Sequence, residues 1–444
     1  MRRSTFGLLL SVVFVASVTF AQTKSKWAVS WTASSHGPYP SGNASAQPNL
    51  KPAFPVPETG ARDQSFRLII KPELWGHTAR LRFSNAFGTQ PVMFDGVFVG
   101  LQLASSAVVS GTNRPVTFSG KRTITIQPGA IAWSDGFMLP FANARLSQQL
   151  IGRKLAVSFH VAGESGPMSW HAKALQTSYL SFPGAGAHGH EEGEAAFPLS
   201  TTSWFFLDAL EVQTTAEAFA VVAFGDSITD GTNSTLNGDD RWPDVLARRL
   251  RAAYGNRVAV VNAGIGGNQV VGPAEYSAQK PSSGGPSALS RLDRDLLYFS
   301  GVAAVIWLEG INDLTRGATV ETIQAGMKEG VARIRAQLKG VRVIGATLTP
   351  ALGAANVTGS PEQDQKRRQL NEFIRTSGLF DGIADFDRAT TDPATGALKA
   401  EFIHNTTIGG EGDRLHPNRL GYLAMGMAID LSLFKPAPVL TRKR

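Results

Sequence analysis

The chain has 444 residues, of which 43% are hydrophobic and 18% charged, a composition typical of a globular protein with room for two domains. It contains no cysteine, which excludes a thiol nucleophile and a cysteine-ligated zinc site. The formal net charge is +8, but the basic residues lie in small scattered clusters without a nucleic-acid-binding motif, so we expect no nucleic-acid partner.

The N-terminus has the pattern of a secretory leader. Arg2 and Arg3 precede an apolar run over residues 6–20, and the small residue Ala21 follows it. This pattern predicts a cleaved signal peptide over 1–21 and a secreted or periplasmic protein. The paired arginines also suggest the twin-arginine route, but Phe6 lies one position late, so we favour the general secretory route. No later apolar run predicts a membrane span.

Residues from about 27 to 212 predict antiparallel β-structure. Short runs that alternate apolar and polar side chains recur between Gly- and Pro-containing turns, at 65–70, 79–83, 122–126 and 154–159. Many short strands at this spacing are typical of a sandwich, and no stretch shows a convincing helical period. We therefore predict a β-sandwich-like domain over 24–214.

From residue 219 onward the pattern changes to alternating strands and amphipathic helices. Apolar runs predict five strands, at 219–224, 258–261, 302–308, 341–347 and 382–386. Helical stripes lie between them, and an apolar helix at about 420–434 closes the chain. This alternation predicts an α/β domain over 218–436, with a parallel five-stranded sheet covered by helices on both faces.

Polar and glycine-rich segments follow three of these strands, and a fourth such segment precedes the last helix. They cover residues 225–231, 262–268, 309–313 and 413–417. Because ligands of an open α/β sheet bind beyond the carboxyl ends of its strands, we expect these segments to meet at one edge. Together they contain a hydroxyl, a glycine loop, a carboxamide and a carboxylate–imidazole pair, which are the parts of an acyl-transfer site.

Each of these groups has a predicted role in that chemistry. Ser227 is the candidate nucleophile, and His416 is the candidate base that takes its proton. Asp413, three residues before His416, is placed to orient the imidazole. The backbone N–H groups of Ser227 and Gly267 and the side-chain amide of Asn312 are predicted to form the oxyanion hole.

The four segments resemble, in order, the signature blocks of the SGNH (GDSL-like) hydrolase superfamily. They match at Ser227 in Gly-Asp-Ser, at Gly267, at Asn312 in Gly-Ile-Asn-Asp, and at Asp413 and His416 in Asp-Arg-Leu-His. The resemblance covers the C-terminal half and implies a flavodoxin-like fold and ester hydrolysis by a serine nucleophile. The N-terminal half resembles, less specifically, the β-domain that precedes the hydrolase unit in some secreted bacterial members.

Two of these assignments have alternatives within the sequence. Gly266 stands beside Gly267 and could supply the N–H donor instead, although we favour Gly267. Asp385 or Asp387 could orient the imidazole in place of Asp413. The serine and the histidine could be no more than helix caps, but their presence together with the other segments favours catalysis.

A loop in the N-terminal half suggests other chemistry. The segment 184–189 matches a dinucleotide-binding fingerprint, but Gly193 and Pro198 exclude the helix that should follow it. The same loop contains metal-ligating side chains, namely His188, His190, Glu191, Glu192 and Glu194. An exposed loop is the simpler interpretation, so we predict no metal and no organic cofactor.

The sequence thus predicts a secreted serine ester hydrolase that acts through an acyl-enzyme and removes acetyl or another short acyl group from a small-molecule or polysaccharide ester. A lipid-ester or thioester hydrolase of the same fold is one alternative, and the stretch 272–286 could cover its site. Another is a carbohydrate-binding surface protein with a vestigial hydrolase half, in which aromatic side chains of the β-domain stack on sugar rings. Those side chains, more often core residues, are Trp31, Tyr39, Trp75, Trp133 and Trp170.

Overall fold

A computed structural model of the protein describes residues 25–143, 148–355, 357–404 and 412–434. The predicted signal peptide, 1–21, lies outside these residues, as does the predicted end of the second domain at 436. The predicted boundary between the domains, at 214–218, falls at the turn between the strands Leu207–Thr215 and Phe219–Gly225. The domain limits themselves stay a prediction.

The N-terminal half is β-rich and antiparallel, as the sequence predicts. Its strands are β1 (Ser25–Thr32), β2 (Gly37–Pro38), β3 (Arg62–Ile70), β4 (Thr78–Ser84), β5 (Val92–Ala104), β6 (Ala107–Val108), β7 (Arg114–Pro115), β8 (Ile124–Ile126), β9 (Ile131–Trp133), β10 (Phe137–Met138), β11 (Leu155–Glu164), β12 (Ser169–His171), β13 (Ser178–Leu180), β14 (Leu199–Thr201), β15 (Trp204–Phe205) and β16 (Leu207–Thr215). Two larger sheets have the orders β1-β16-β4-β10 and β14-β13-β3-β11-β5-β6, and a small one has the order β15-β12-β2. β9 also pairs with β4, and β7 and β8 pair with β5.

Aromatic side chains join the two larger sheets. The ring of Phe83, on β4, has its centroid 5.2 Å from that of Phe94, on β5, and 5.2 Å from that of Phe159, on β11. All three rings are fully buried. Contacts between inward-facing rings of two sheets are what a sandwich-like core requires.

The aromatic residues considered for sugar binding belong largely to this core. Trp31, Trp75 and Trp170 are 6%, 4% and 3% exposed. Tyr39 and Trp133 are partly buried against the same apolar cluster. Rings held in a core are not free to stack on a sugar, so their burial argues against the carbohydrate-binding alternative.

The C-terminal half is an α/β unit with a parallel sheet. Its strands are β17 (Phe219–Gly225), β18 (Val258–Gly264), β19 (Val302–Leu308), β20 (Arg342–Ala346) and β21 (Gly382–Ala384). Its helices are α1 (Ser227–Asp230), α2 (Trp242–Tyr254), α3 (Ala288–Leu292), α4 (Ile311–Thr315), α5 (Val320–Gln337), α6 (Pro361–Thr376), α7 (Phe386–Thr390) and α8 (Arg419–Ala428). The strand order is β18-β17-β19-β20-β21, and every pairing is parallel. This is the flavodoxin-like order, which confirms the predicted fold class.

Shorter helical turns complete the C-terminal half. A π-helical turn lies at Asp293–Leu297, and 3-10 turns lie at Val357–Gly359, Ala400–Phe402 and Leu431–Phe434. The longest helix, α5, has 18 residues. Within the described residues, no helix combines the length and the apolar character that crossing a bilayer requires.

The structure corrects two predicted element ends. The predicted helix at 420–434 stops at Ala428, because Ile429 adopts extended backbone geometry (φ −72°, ψ 125°) while its side chain stays buried. An apolar pattern indicates which residues are buried but not whether the helix continues, so the pattern does not predict where this helix ends. The fifth strand stops at Ala384, because Asp385 caps α7 and accepts the N–H of Arg388 (3.1 Å).

The two halves share one hydrophobic core, whereas the chain length allows two separate ones. Buried apolar residues from both halves form a continuous cluster, and Val29 on β1 donates its N–H to the carbonyl of Ser300 (2.9 Å). Fully buried Arg82 pairs through Nε with Asp208 (2.7 Å) and donates through Nη2 to the carbonyl of Arg294 (3.0 Å). The N-terminal half is thus anchored to the C-terminal half by buried polar as well as apolar contacts.

Replacing Arg82 by Met should lower the free energy of unfolding by about 3–5 kcal/mol, because Asp208 would remain buried without its partner. The urea unfolding midpoint, followed by tryptophan fluorescence, measures this effect. Arg257→Met is the matched control, since Arg257 pairs with Glu217 at 3.4 Å while both side chains are more than half exposed. The control should change stability by less than about 1 kcal/mol. Equal losses in the two variants would contradict the anchoring role of Arg82.

Candidate active site

Ser227 is the first residue of α1 and directly follows the tight turn after β17. The carboxylate of Asp226 caps α1 by accepting the N–H of Ile228 (3.0 Å). Gly225 leaves no room for a side chain, because a Cβ there would lie 2.4 Å from the carbonyl oxygen of Leu308. Since β17 lies between β18 and β19, this turn places the serine at the carboxyl edge of the sheet, where the strand order reverses.

A chain of hydrogen bonds connects Ser227, His416 and Asp413. The serine Oγ lies 2.7 Å from His416 Nε2, and His416 Nδ1 lies 2.5 Å from Asp413 Oδ2. The carboxylate can only accept, so Nδ1 carries the proton and Nε2 is left to accept the serine hydroxyl proton. The structure therefore brings together the three residues to which the sequence assigns the nucleophile, the base and the orienting acid.

The carboxylate of Asp413 is held in its charged form. Burial opposes ionisation, but the hydrogen bond and charge of His416 outweigh it and lower the pKa of Asp413 to about 2. The other carboxylate oxygen accepts the backbone N–H groups of Leu415 (3.0 Å) and His416 (2.9 Å). An ionised carboxylate at this position stabilises the imidazolium that forms when the histidine takes a proton.

The start of α8 fixes the histidine. Asn418 caps this helix, because its Oδ1 accepts the N–H groups of Leu420 (2.9 Å) and Gly421 (3.1 Å). Asn233 donates through Nδ2 to the carbonyl of His416 (3.3 Å). The segment after β17 thus holds the segment before α8, although the two are far apart in the chain.

The structure distinguishes between the two glycines of the second block. The N–H of Gly266 donates to Asp230 Oδ2 (3.0 Å), whereas the N–H of Gly267 has no acceptor among the described residues. Gly267 has a φ of +82°, which glycine adopts without strain. Asn312, on α4, donates one amide hydrogen to the carbonyl of Asn268 (2.9 Å), which leaves its second hydrogen for another acceptor.

These contacts bring the predicted oxyanion donors to neighbouring positions. Asn312 is tied to Asn268, the residue after Gly267, and Ser227 begins α1, whose last residue, Asp230, binds Gly266. Among the described residues, the N–H without an acceptor is that of Gly267 and not that of Gly266. The roles of these donors in catalysis stay a prediction.

The alternative orienting acids lie elsewhere and have other partners. Asp385 accepts hydrogen bonds from Arg375 (2.7 Å) and Thr347 (3.0 Å). Asp387 pairs with Arg367 at 2.6 Å. The carboxylate beside His416 is that of Asp413 and neither of these.

Sequence reasoning missed the residue that ties the strand ends together, Arg291. Its guanidinium is fully buried and donates to the carbonyls of Gly225 (2.9 Å) and Ala263 (2.8 Å) and to the side-chain oxygen of Asn268 (2.7 Å). It also lies over the ring of Phe224, 4.0 Å from the centroid. In the sequence Arg291 is one basic residue on an otherwise amphipathic segment, so no local signal marks it.

Three acidic side chains are buried beneath the serine turn, at positions 226, 309 and 313. Burial raises the pKa of Asp226 well above its ordinary value, that of Glu309 to about 7 and that of Asp313 to about 6. Asp313 accepts the N–H groups of residues 270 and 271, and Glu309 accepts the indole N–H of Trp307 (2.8 Å). Their contacts are those of structural hydrogen-bond acceptors.

In the loop that contains the metal-ligating side chains, His188 makes its contacts within the loop itself. His188 Nδ1 lies 2.7 Å from Glu191 Oε1, and its Nε2 lies 2.8 Å from the carbonyl of Ala185. Within the described residues, no group of three or more His, Asp or Glu side chains is arranged to hold a metal ion. The segment after the 184–189 fingerprint contains no helix before β14.

The stretch 272–286, suggested as a cover for the site, lies against the glycine loop, which is the segment 262–268. Asn268 donates through Nδ2 to the carbonyls of Gly284 and Pro286, both at 2.7 Å. The hydroxyl of Tyr276 donates to the carbonyl of His36 in the N-terminal half (2.7 Å). The stretch is therefore held both to the loop that carries Gly267 and to the β-rich half.

A parallel sheet that carries a hydrogen-bonded serine, histidine and aspartate at its carboxyl edge, with free N–H donors beside the serine, has the arrangement of a serine hydrolase. Comparisons with known proteins agree with this class. The sequence model of the GDSL-like Lipase/Acylhydrolase family matches residues 223–424. No curated protein matches the chain.

Several solved structures are similar to about half of this chain. A carbohydrate acetylesterase family member from Sinorhizobium meliloti is 18% identical, with 47% of this chain and 94% of that chain covered and a TM-score of 0.35. A member of the lipolytic G-D-S-L family from Veillonella parvula is 18% identical, with 48% and 96% covered and a TM-score of 0.34. A GDSL-like lipase from Bacteroides thetaiotaomicron is 18% identical, with 48% and 87% covered and a TM-score of 0.35.

The match over 223–424 contains every predicted site residue, and the strand order is the one that the resemblance implies. The C-terminal half belongs to the GDSL-like lipase/acylhydrolase family of the SGNH hydrolase superfamily. The protein is a carboxylic ester hydrolase.

Replacing Glu309 by Gln should remove a pH dependence of stability between about pH 4.5 and 7. Because the folded-state pKa of Glu309 is about 7, against an ordinary value of 4.5, the folded protein keeps a proton that the unfolded chain releases. The free energy of unfolding therefore falls as pH rises through this window, and glutamine, which cannot ionise, avoids the loss. Melting temperatures measured at pH 4.5, 6 and 8 check this: the melting temperature of the variant minus that of wild type should increase as pH rises.

The exposed Glu321, in the first turn of α5, provides the control for this measurement. Glu321→Gln should leave the wild-type pH dependence unchanged. A difference between Glu309→Gln and wild type that stays constant from pH 4.5 to 8 would show that Glu309 ionises normally in the fold.

Proposed function

We propose that the protein is a secreted or periplasmic serine esterase that acts through an acyl-enzyme and removes acetyl or another short acyl group from carbohydrate. The observation that carries the mechanism is the hydrogen-bonded chain from Ser227 Oγ through His416 to Asp413. Among the described residues the N–H groups of Ser227 and Gly267 have no acceptor, so these groups and the second amide hydrogen of Asn312 are available to bind an oxyanion.

The proposed reaction has two halves. His416 Nε2 takes the hydroxyl proton as Ser227 Oγ attacks the ester carbonyl carbon, and the three donors stabilise the negative charge on the carbonyl oxygen. The tetrahedral intermediate collapses, and the alcohol leaves with the proton from the imidazolium. Water then attacks the acyl-enzyme with His416 again as the base, which releases the acid and restores the serine hydroxyl.

Two features support a carbohydrate ester. The leader at 1–21 predicts export, which would place the enzyme where decorated polysaccharides occur. The N-terminal half sets the polar residues Asn43 and Lys173 against the glycine loop. Polar groups beside the loop suit a hydroxyl-rich alcohol better than an alkyl chain.

A lipid ester is the second candidate, and one observation favours it. Leu420, Leu423 and Met427 are 49%, 45% and 55% exposed and recur at helical spacing on α8. They form an apolar stripe that begins four residues after His416. An exposed apolar stripe of this kind suits contact with an aggregated lipid substrate.

Hydrolysis of p-nitrophenyl acetate, butyrate and octanoate by the predicted mature protein, residues 22–444, tests the proposal. Wild type should be fastest on acetate, and Ser227→Ala should lose at least about 10³-fold in kcat while keeping its melting temperature. Deacetylation of acetylated xylan should follow the same pattern. A preference for octanoate would favour the lipid ester, and equal activity of Ser227→Ala would contradict the nucleophile assignment.

Replacing Asp413 by Asn should lower kcat on p-nitrophenyl acetate on the order of 10³-fold with little change in KM, because the imidazolium would lose its counter-charge and the ring its fixed tautomer. Since the pKa of Asp413 is about 2, the carboxylate is ionised throughout the working range. The loss should therefore be measured at about pH 8, where an ordinary imidazole is neutral and the carboxylate of wild type is fully ionised. Asp385→Asn serves as the control and should retain kcat within about twofold; a loss equal to that of Asp413→Asn would return the orienting role to Asp385.

A further inference from the structure

The peptide bond between Gly266 and Gly267 is held by a residue from the other half of the chain. Asn43 donates through Nδ2 to the carbonyl oxygen of Gly266 (2.8 Å) and to that of Ser283 (3.2 Å). Asn43 lies between β2 and β3, in the β-rich half, and 223 residues separate it from Gly266. This contact therefore exists only because the two halves pack together.

The planarity of the peptide bond gives this contact a consequence for the oxyanion hole. The carbonyl of Gly266 and the N–H of Gly267 belong to the same planar trans unit, in which they point in opposite directions. A donor that fixes the carbonyl therefore fixes the direction of the N–H. A Gly-Gly peptide has little intrinsic preference for one orientation, so an external contact is needed to hold it.

The preceding peptide of the loop is held from the other side. Asp230 Oδ2 accepts the N–H of Gly266 (3.0 Å), and its Oδ1 lies 3.2 Å from Nε2 of His171, a residue of the N-terminal half. His171 Nδ1 donates to the carbonyl of Ser34 (2.8 Å). Burial opposes ionisation of Asp230, but the charge of His171 and its hydrogen bond outweigh this and lower the pKa of the carboxyl.

The space around the loop shows how closely the N-terminal half approaches it. A Cβ at Gly267 would lie 3.0 Å from Asn43 Nδ2, and a Cβ at Gly266 would lie 3.1 Å from Lys173 Nζ. The ammonium group of Lys173 in turn donates to Thr232 Oγ1 (2.6 Å), just beyond α1. Side chains of the β-rich half thus line the outer side of the loop that carries the predicted donor.

We propose that Asn43 is a positioning residue of the esterase: it fixes the Gly266–Gly267 peptide so that the N–H of Gly267 points to the developing oxyanion. The inference rests on the proposed function, because it assigns a task within that reaction. Asn43 does not touch the reacting atoms. It acts by holding the donor, and its hydrogen bond to the Gly266 carbonyl also polarises the peptide and strengthens the N–H as a donor.

The test compares two substitutions of Asn43 with a matched control. Asn43→Ala removes the side chain, and Asn43→Asp keeps its shape while removing the donor. Asn256→Ala is the control, because Asn256 is also half-buried and also joins the halves, through hydrogen bonds with the backbone N–H (3.2 Å) and carbonyl (3.0 Å) of Trp75. No contact of Asn256 reaches the glycine loop.

Kinetics on p-nitrophenyl acetate and the affinity for a boronic acid, which forms a tetrahedral adduct on the serine, are the readouts. Both Asn43 variants should lose about 10- to 100-fold in kcat with KM within about threefold, since the removal of a whole oxyanion donor costs about 10²–10³-fold. Boronate affinity should fall in parallel with kcat/KM, because the adduct resembles the transition state. Asn256→Ala should retain both values even if its melting temperature falls as far.

The outcomes separate this inference from the proposed function. Wild-type activity with kcat of Asn43→Asp within twofold overturns the positioning role and leaves the esterase in place. An equal loss of kcat in Asn256→Ala overturns it as well, since the loss would then follow from weakening any contact between the two halves of the chain. A folded wild-type protein without esterase activity, or with activity unaffected by Ser227→Ala, overturns the proposed function and this inference with it.

Discussion

The buried guanidinium of Arg291 is the interaction on which the arrangement of the site depends. The guanidinium donates to carbonyls at the ends of β17 and β18 and to the side chain of Asn268, so one planar group fixes the two segments that follow these strands. A buried charge is tolerated only when it is paired and its hydrogen bonds are satisfied, and here Asp295 (3.3 Å) supplies the counter-charge. The turn with Ser227 and the loop with Gly267 are therefore built on the same support.

The surroundings of the carboxylates near Arg291 determine which of them stay ionised. Glu309 and Asp313 lie in the interior, and burial raises the pKa values of both, although Arg291 lies 3.7 Å from Glu309 and partly offsets the rise there. Asp413 is partly exposed and receives two backbone N–H groups and the imidazole, which lower its pKa. The carboxylate that faces His416 is consequently the one that stays charged under all working conditions, which is what an imidazolium intermediate requires.

The β-rich half is part of the same physical unit as the hydrolase half. The two share a hydrophobic core, and Arg82, paired with Asp208 within the β-rich half, donates to the carbonyl of Arg294 in the hydrolase half. Contacts from Asn43 and His171 reach the glycine loop directly or through Asp230. The family match begins at residue 223, so these contributions come from outside the matched range. In this chain the loop that carries Gly266 and Gly267 is therefore supported on the side that faces the N-terminal sheets.

The sequence by itself determined the class of each half and the segments that carry chemistry. The spacing of apolar residues distinguishes antiparallel strands from alternating strands and helices, because the number of buried faces of an element determines which of its successive residues are apolar. Parallel strands bring their carboxyl ends to one edge of the sheet. Position after a strand or before α8 was therefore enough to predict five site residues, namely Ser227, Gly267, Asn312, Asp413 and His416. Only the tertiary structure places Asp413, and neither Asp385 nor Asp387, beside His416. Only it gives the N–H of Gly266 an acceptor while that of Gly267 has none among the described residues, and only it reveals the contacts of Arg291 and Asn43. Those assignments depend on hydrogen bonds between residues far apart in the chain, and no local pattern records such pairs.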